Sequence, residues 1–296
     1  MKIAIVSYQL PEKRKASSLM SEDNLLIEFL KEKQLNAEQV IWNDPAVDWK
    51  QYDVAILKSP WDYHDRIVAF FTWLDILNAL GVKLLNPVDM VKWNSDKHYL
   101  KEITEAGFPV IASVFLEQGT IPYLLPLFEQ LKAQKLIIKP CISASAKNTI
   151  ILTVADVNIQ LAVVHQLLKT GDYVVQPFMD EIFEGEWSYL FFNGQFSHAA
   201  LKVPKDGDFR VQSDHGGSVR ILEPELSHVK SAETLVNKFA KGALYARVDG
   251  VISNGELYLM ELELIEPYLF LDTHPDAFLN YYNALMELVK TADKIA

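Results

Sequence analysis

The stretch from Tyr245 to Pro267 constrains this chain more than any other. Two β-branched and aliphatic runs flank Ser253-Asn254-Gly255, the composition of a β-hairpin. Asp249 lies in the first run, and Glu261 and Glu263 lie two apart in the second, on one face of a strand. The turn decides whether the three carboxylates meet. A two-residue loop would set Asp249 opposite Met260, on the wrong face. The expectation is a three-residue loop with Gly255 left-handed, pairing Ile252 with Glu256, Arg247 with Glu261 and Asp249 with Leu259. Arg247, Asp249, Glu261 and Glu263 then share one face, and Val248, Met260, Leu262 and Leu264 the other. A one-residue slip would scatter them.

Carboxylates crowded on one face raise each other's pKa unless a cation joins them. All-oxygen donors beside an arginine suit a hard Mg²⁺ holding phosphate, not Zn²⁺. The same pattern also fits a solvated strand face whose charges are tied by Arg247.

The chain has 296 residues, enough for two or three modest lobes. A net charge of −11 argues against a broad nucleic-acid or anionic-membrane surface, since either needs a basic footprint. The single cysteine, Cys141, excludes an intrachain disulfide framework and fits a reducing cytoplasm. The apolar run Ile3 to Val6 is too short for a signal-peptide core, and no run has the length of a membrane span.

Strands are expected at Lys2–Tyr8, Ala37–Trp42, Asp53–Lys58 and Val82–Leu85, with helices from Ser21 and over Ile67–Leu80. This alternation implies a parallel α/β sheet with right-handed crossovers. No glycine-rich loop follows the first strand, which argues against a Rossmann dinucleotide site. Ser59 to Arg66 ends the third strand, where open parallel sheets bind ligands, so Trp61, Asp62 and Tyr63 form a candidate substrate wall; a loop anchored by its aromatics is the alternative.

A helix is expected from Lys92 to Phe108 and a strand over Val110–Leu116. The apolar strand Leu136–Pro140 carries Lys139, and a lysine drawn out of water usually has an anionic partner. The small-residue loop Cys141–Thr149 could fold over phosphates, although it lacks glycine. Pro204 to Arg220 reads as a loop with Arg210 and the pair Gly216-Gly217, suited to an oxyanion or a substrate, or simply mobile surface. The basic loop Pro11–Lys15 precedes the first helix, and Asp276–Lys294 reads as a closing amphipathic helix.

In chain order, Lys97, Lys139, Gln176-Pro177-Phe178-Met179, Glu186, Lys202, Arg210, Arg247-Val-Asp249 and Glu261-Leu-Glu263 resemble the ATP-grasp superfamily, in its branch of glutathione synthetase and RimK-type ligases. The look is nearest to the cycloserine-biosynthesis type, through Ser59–Tyr63, Ile138–Ser145, Gly185–Ser188 and Leu259–Pro267. The resemblance spans Asn86 to Pro267, with the preceding residues matching the usual α/β domain. It implies an ATP-grasp fold, α+β in its C-terminal half, divided at residues 1–88, 89–182 and 183–296.

Carried over, the resemblance places Lys97 and Lys139 on ATP phosphates, Gln176 to Met179 at the adenine and Glu186 on the ribose. Lys202 lies near the nucleotide, Arg210 and Arg247 handle the transferred phosphate, and Asp249, Glu261 and Glu263 hold Mg²⁺, two ions expected and Mn²⁺ admissible. Trp61, Asp62, Tyr63, Gly216 and Gly217 are left to the substrate. Two departures stand out: Glu263 replaces the usual Asn, and Ser143 to Ala146 replace loop glycines.

The implied chemistry is ATP-driven joining of a small amino-acid-like acid to an amine through an acyl phosphate, releasing ADP and phosphate in the cytoplasm. Phosphotransfer without an amine and a non-catalytic nucleotide sensor are the alternatives, and a homodimer is compatible with either. No Ser, Cys or His nucleophile is required, so His64, His98 and His215 read as structural or substrate-contact residues and Cys141 as inert.

Overall fold

The computed structural model describes residues 1–9, 18–144, 146–212 and 215–292; the Pro11–Lys15 stretch and Ser145 lie outside these. The N-terminal elements are β1 (Lys2–Ser7), α1 (Ser18–Glu32), β2 (Asn36–Ile41), β3 (Val54–Ser59), α2 (Ile67–Ala79) and β4 (Lys83–Leu85). They form the expected parallel sheet in the order β2-β1-β3-β4. Every residue of β3 is buried, as in a parallel sheet covered on both faces.

The single helix expected over Lys92–Phe108 is instead two, α3 (Val88–Asn94) and α4 (Tyr99–Glu105). Tertiary bonds break it. The Asn94 amide donates to Leu262 O at 2.7 Å and its carbonyl accepts from Leu264 N at 2.9 Å. Asp96 Oδ1 accepts from His98 N at 2.9 Å, an Asx-type turn that competes with helix. The break turns Lys97 inward, where its N–H donates to Cys141 O at 2.9 Å.

A second sheet, antiparallel in the order β5-β8-β6-β7, contains β5 (Val114–Leu116), β6 (Lys135–Pro140), β7 (Ile150–Thr153) and β8 (Tyr173–Pro177). The helices α5 (Leu125–Gln130) and α6 (Val157–Leu167) close it with a core of its own around Leu136, Ile138, Leu152 and Val175.

The third sheet, order β11-β10-β9-β12-β13, comprises β9 (Glu186–Phe192), β10 (Gln195–Val203), β11 (Ser218–Arg220), β12 (Tyr245–Ser253) and β13 (Glu256–Glu263). The short β11 falls where the sequence reads as loop; its three exposed residues carry no alternation to mark a strand. Helix α7 (Leu226–Phe239) packs on the face of Tyr189, Phe191, Val248 and Leu262. The opposite face carries Leu190, Phe192 and Ala200, which join the core of β1, β3 and α8 (Ala277–Ala292). Among the described residues no helix is long and apolar enough to cross a membrane.

Asn86 fastens the linker to this sheet. It is wholly buried at φ 65° and donates to Tyr245 O (2.9 Å) and Leu264 O (2.7 Å) while accepting from Leu244 N (2.8 Å). Replacing Asn86 by alanine strands these main-chain groups and keeps the left-handed backbone, a loss of about 4 kcal/mol at 1–3 kcal/mol per unsatisfied group. Urea unfolding checks this; a loss below about 1 kcal/mol would mean that water replaces the amide.

Candidate active site

The hairpin corrects the expected turn. β12 and β13 are joined by two residues, Asn254 (φ 51°) and Gly255 (φ 80°), and Ser253 pairs with Glu256. Two positive φ angles are what a type I′ turn requires, and its twist matches the strands better than the longer loop. Arg247 therefore pairs with Glu263, not Glu261, and Asp249 pairs with Glu261, not Leu259. The face is rescued by a β-bulge. Pairing shifts between Asp249 and Gly250, so that Met260 is the extra residue and packs toward Val251 and Tyr258. A Cβ on Gly250 would lie 2.4 Å from Tyr258 O, so the bulge needs a glycine there. The outer edge of β13 is held by Leu259, which bridges Val110 and bonds Pro109 and Ile111.

With the bulge in place, two neighbouring rungs on one face of the sheet carry the charged side chains across four strands. Lys202 pairs with Glu186, Ser188 with Asp249, and Asp249 with Glu261. Lys202 Nζ donates to Glu186 Oε1 at 2.5 Å and Asp249 Oδ2 at 2.8 Å. Arg247 forks onto Asp249 through Nε (2.9 Å) and Nη2 (2.8 Å), donates to Glu263 and anchors Tyr268 O at 2.9 Å. Ser188 Oγ donates to Asp249 Oδ1 at 2.7 Å. From the far side Lys97 Nζ reaches Glu261 Oε1 at 2.9 Å and Ser143 O at 3.2 Å.

Side-chain exposure rises from Asp249 (3%) to Glu263 (24%) and Glu261 (34%), so the cluster opens to solvent along β13. Burial works to raise Asp249, but Arg247 and Lys202 prevail and hold it well below the ordinary carboxylate range. Glu261 is likewise held low against burial by Lys97 and Lys139. Burial pushes Glu263 up to about 8, with repulsion from Asp249 and Glu261 adding to it. Glu266 is raised by burial and by Glu263 and Glu261. Burial depresses Lys139, and among the described residues it has no carboxylate within 4.0 Å. The site thus holds a half-buried, partly uncompensated lysine facing an acidic strand.

The remaining candidates divide. Trp61 Nε1 donates to Glu266 O at 3.1 Å, and Tyr63 is buried where Glu266, Glu261 and Glu263 all raise its hydroxyl after burial itself, so this loop borders the cluster. Asp62 is instead engaged by the buried Trp42, accepting from its Nε1 at 2.7 Å. Gln176 is buried and donates to Ser113 Oγ at 2.9 Å, whereas Phe178 and Met179 join an apolar patch with Ile111, Val211 and Val251 beside Pro177. Arg210 folds back on Asp208 (3.0 and 2.8 Å) and is not drawn into the cluster. Gly217 serves its own loop, since a Cβ there would meet Val211 O at 2.0 Å; Gly216, at φ 86°, lies against Lys205. In the β6–β7 loop Ala146 and Asn148 take positive φ, at positions where glycine is favoured.

Two family profiles match in succession. Residues 3–86 match the N-terminal domain of D-cycloserine synthetase DcsG, and residues 125–271 match the ATP-grasp domain of prokaryotic glutathione synthetase. The chain belongs to the ATP-grasp ligases. It is 26% identical over 279 residues to the cycloserine biosynthesis protein DcsG of Streptomyces lavendulae, covering 90% of this chain and 93% of that protein. The crystal structure of D-cycloserine synthetase DcsG superposes with a TM-score of 0.83 at 24% identity, over 97% of this chain and 99% of that one. The D-alanine–D-alanine ligase of Bacillus anthracis complexed with ATP superposes at 0.74 with 16% identity, over the whole of both chains. The chain is thus an ATP-dependent C–N ligase with this fold.

In this ATP-grasp ligase the three acidic side chains fit a hard divalent ion by donor type and by adjacency in the ladder. Among the described residues they are not gathered within 4.8 Å of one another; each is turned to a cation, Lys97, Lys202 or Arg247. Sequence reading missed Ser188, which shares the Glu186 face at a spacing of two, a signal available from alternation alone. It also missed the buried Lys58, whose Nζ lies 2.6 Å from Glu22 and 3.3 Å from Asp23; nothing local announces that pairing.

Proposed function

We propose that the protein joins a small amino-acid-like acid to an amine by way of an acyl phosphate, converting ATP to ADP and phosphate. The observation that carries this reading is the row Lys202–Glu186–Asp249–Arg247 continued by Glu261–Lys97, a charge lattice that grows more exposed toward β13. A carboxylate is a poor electrophile, and neutralising charge on a transferring phosphoryl group is the work that such a lattice does.

In this reading Lys97 and Lys139 bind the phosphates, and Gln176 to Met179 receive the adenine. Glu186 holds the ribose, and Lys202 steadies both it and Asp249. Arg247 orients Asp249 and meets the reacting phosphoryl oxygens, with Arg210 free to exchange Asp208 for the same anion. Asp249, Glu261 and Glu263 would hold Mg²⁺, which when bound would supply positive charge to offset that of the transferring phosphoryl group. The loop from Trp61 to Tyr63, with Gly216-Gly217, would shape the acid's pocket.

Incubation with ATP, Mg²⁺ and pooled small acids and amines is expected to release ADP and phosphate, with EDTA abolishing turnover. AMP and pyrophosphate would rule out the acyl-phosphate route. A stable phosphorylated product formed without amine would select phosphotransfer instead.

A further inference from the structure

Behind the phosphate lysines lies a second cluster, of different chemistry. The ligand atoms of Asp96, His98 and Cys141 all lie within 4.8 Å of one another. His98 Nδ1 is 2.6 Å from Asp96 Oδ1, and His98 Nε2 is 3.9 Å from Asp172 Oδ2. Four residues from three separate segments therefore converge: the α3–α4 turn, the end of β6 and the start of β8. The Cys141 side chain is 1% exposed, and among the described residues its sulfur has no hydrogen-bond partner. Burial, with Asp96 and Asp172 adding to it, pushes this thiol well above its ordinary range, so it rests protonated until a cation arrives. Asp96, His98 and Asp172 remain about one-third exposed, which leaves a path from solvent.

Sulfur, imidazole and carboxylate together are the donor set of a borderline-soft ion, and are foreign to Mg²⁺. Tetrahedral zinc places neighbouring donors roughly 3.3–3.7 Å apart, given bonds of about 2.0–2.3 Å. The ligand atoms of Asp96, His98 and Cys141, all within 4.8 Å of one another, reach that range by small side-chain rotations. We propose that Asp96, His98 and Cys141 form a site for a zinc-class divalent ion, with Asp172 beside the second ring nitrogen of His98, separate from the hard-ion site of the acidic strand. On binding, the Cys141 S–H bond breaks, the sulfur bonds to the ion and the proton passes to solvent.

The site is wired to the nucleotide lysines. Lys97 stands between Asp96 and His98 and donates its N–H to Cys141 O at 2.9 Å, and Cys141 lies two residues beyond Lys139. Ligation would fix the turn that aims Lys97 at Glu261. That coupling rests on the nucleotide role proposed for the two lysines; ion binding itself does not.

Titrating the full chain with Co²⁺ in the absence of ATP is the test. A thiolate-to-metal charge-transfer band and tetrahedral d–d bands are expected at one ion per chain, with Zn²⁺ displacing Co²⁺. Cys141→Ser should remove the charge-transfer band and His98→Gln should weaken affinity at least about tenfold. Glu261→Gln should leave both signals. Far-ultraviolet circular dichroism of each variant checks that it folds, and His98→Gln, on a part-exposed residue, keeps the test alive where the core cysteine cannot be changed. A wild-type protein with no thiolate band, or a band unmoved by His98→Gln, overturns the site. Loading with Zn²⁺ is also expected to change the Kd of Mg²⁺·ATP severalfold in wild type and not in Cys141→Ser; equal values would overturn the coupling while leaving the ligase reading intact.

Discussion

Replacing Gly250 by alanine is expected to remove on the order of 3 kcal/mol of stability and most of the binding of Mg²⁺·ATP, the upper end of what overpacking does. The new methyl would lie 2.4 Å from Tyr258 O and 2.8 Å from Leu257 Cδ1. The first of these is backbone and cannot swing away. Opening the ladder there removes the bulge, and without the bulge Asp249 faces Met260 instead of Glu261. Gly255→Ala is the control: nothing lies within 4 Å of its added Cβ, and it should lose only about 1 kcal/mol from the left-handed φ of 80°. Urea unfolding with calorimetric titration of Mg²⁺·ATP reads both. Equal behaviour of the two variants would mean that the bulge is not what aligns the carboxylates.

Asp249→Asn is expected to lower kcat/KM by about 10²–10³, the usual loss when a preorganised charge in the site is removed. It keeps the shape and removes the charge that accepts from Lys202, Arg247 and Ser188. Lys202 then keeps only Glu186 and Arg247 only Glu263 as charged partners, so stability should also fall by about 3 kcal/mol. The two effects separate by condition. Raising Mg²⁺ should recover part of kcat/KM in a Glu263→Gln protein, where Arg247 keeps Asp249, but none in Asp249→Asn. Full recovery by Mg²⁺ in Asp249→Asn would show that Asp249 acts only through ion affinity.

The parallel N-terminal sheet and the apolar β6 were legible because buried strands announce themselves by composition. Site residues were legible as types in order: Lys97, Glu186, Lys202, Arg247, Asp249 and Glu261 do meet, although no local pattern links residues so far apart. The hairpin register was not legible. Asn254-Gly255 favours the two-residue turn, and the face is restored only where Gly250 admits Tyr258 O and Pro109 to Ile111 grip Leu259. That compensation depends on segments more than a hundred residues apart. The broken helix at Ser95 has the same origin, since Asn94 bonds β13 and its neighbour Leu264.

The buried Glu22 accepts the N–H groups of Leu269 (2.9 Å) and Leu271 (3.0 Å), and Ile3, Ile5 and Leu26 pack in one core with Phe192, Tyr245 and Tyr281. As heritable modules, then, the first sheet and the tail of the chain are not separable. A recombination that exchanged residues 1–88 alone would leave Leu269 and Leu271 without acceptors and half a core without its complement. Shuffling N-terminal domains among relatives must carry residues 264–290 along with them, whereas the 114–177 sheet closes most of its core within itself and asks less of its neighbours.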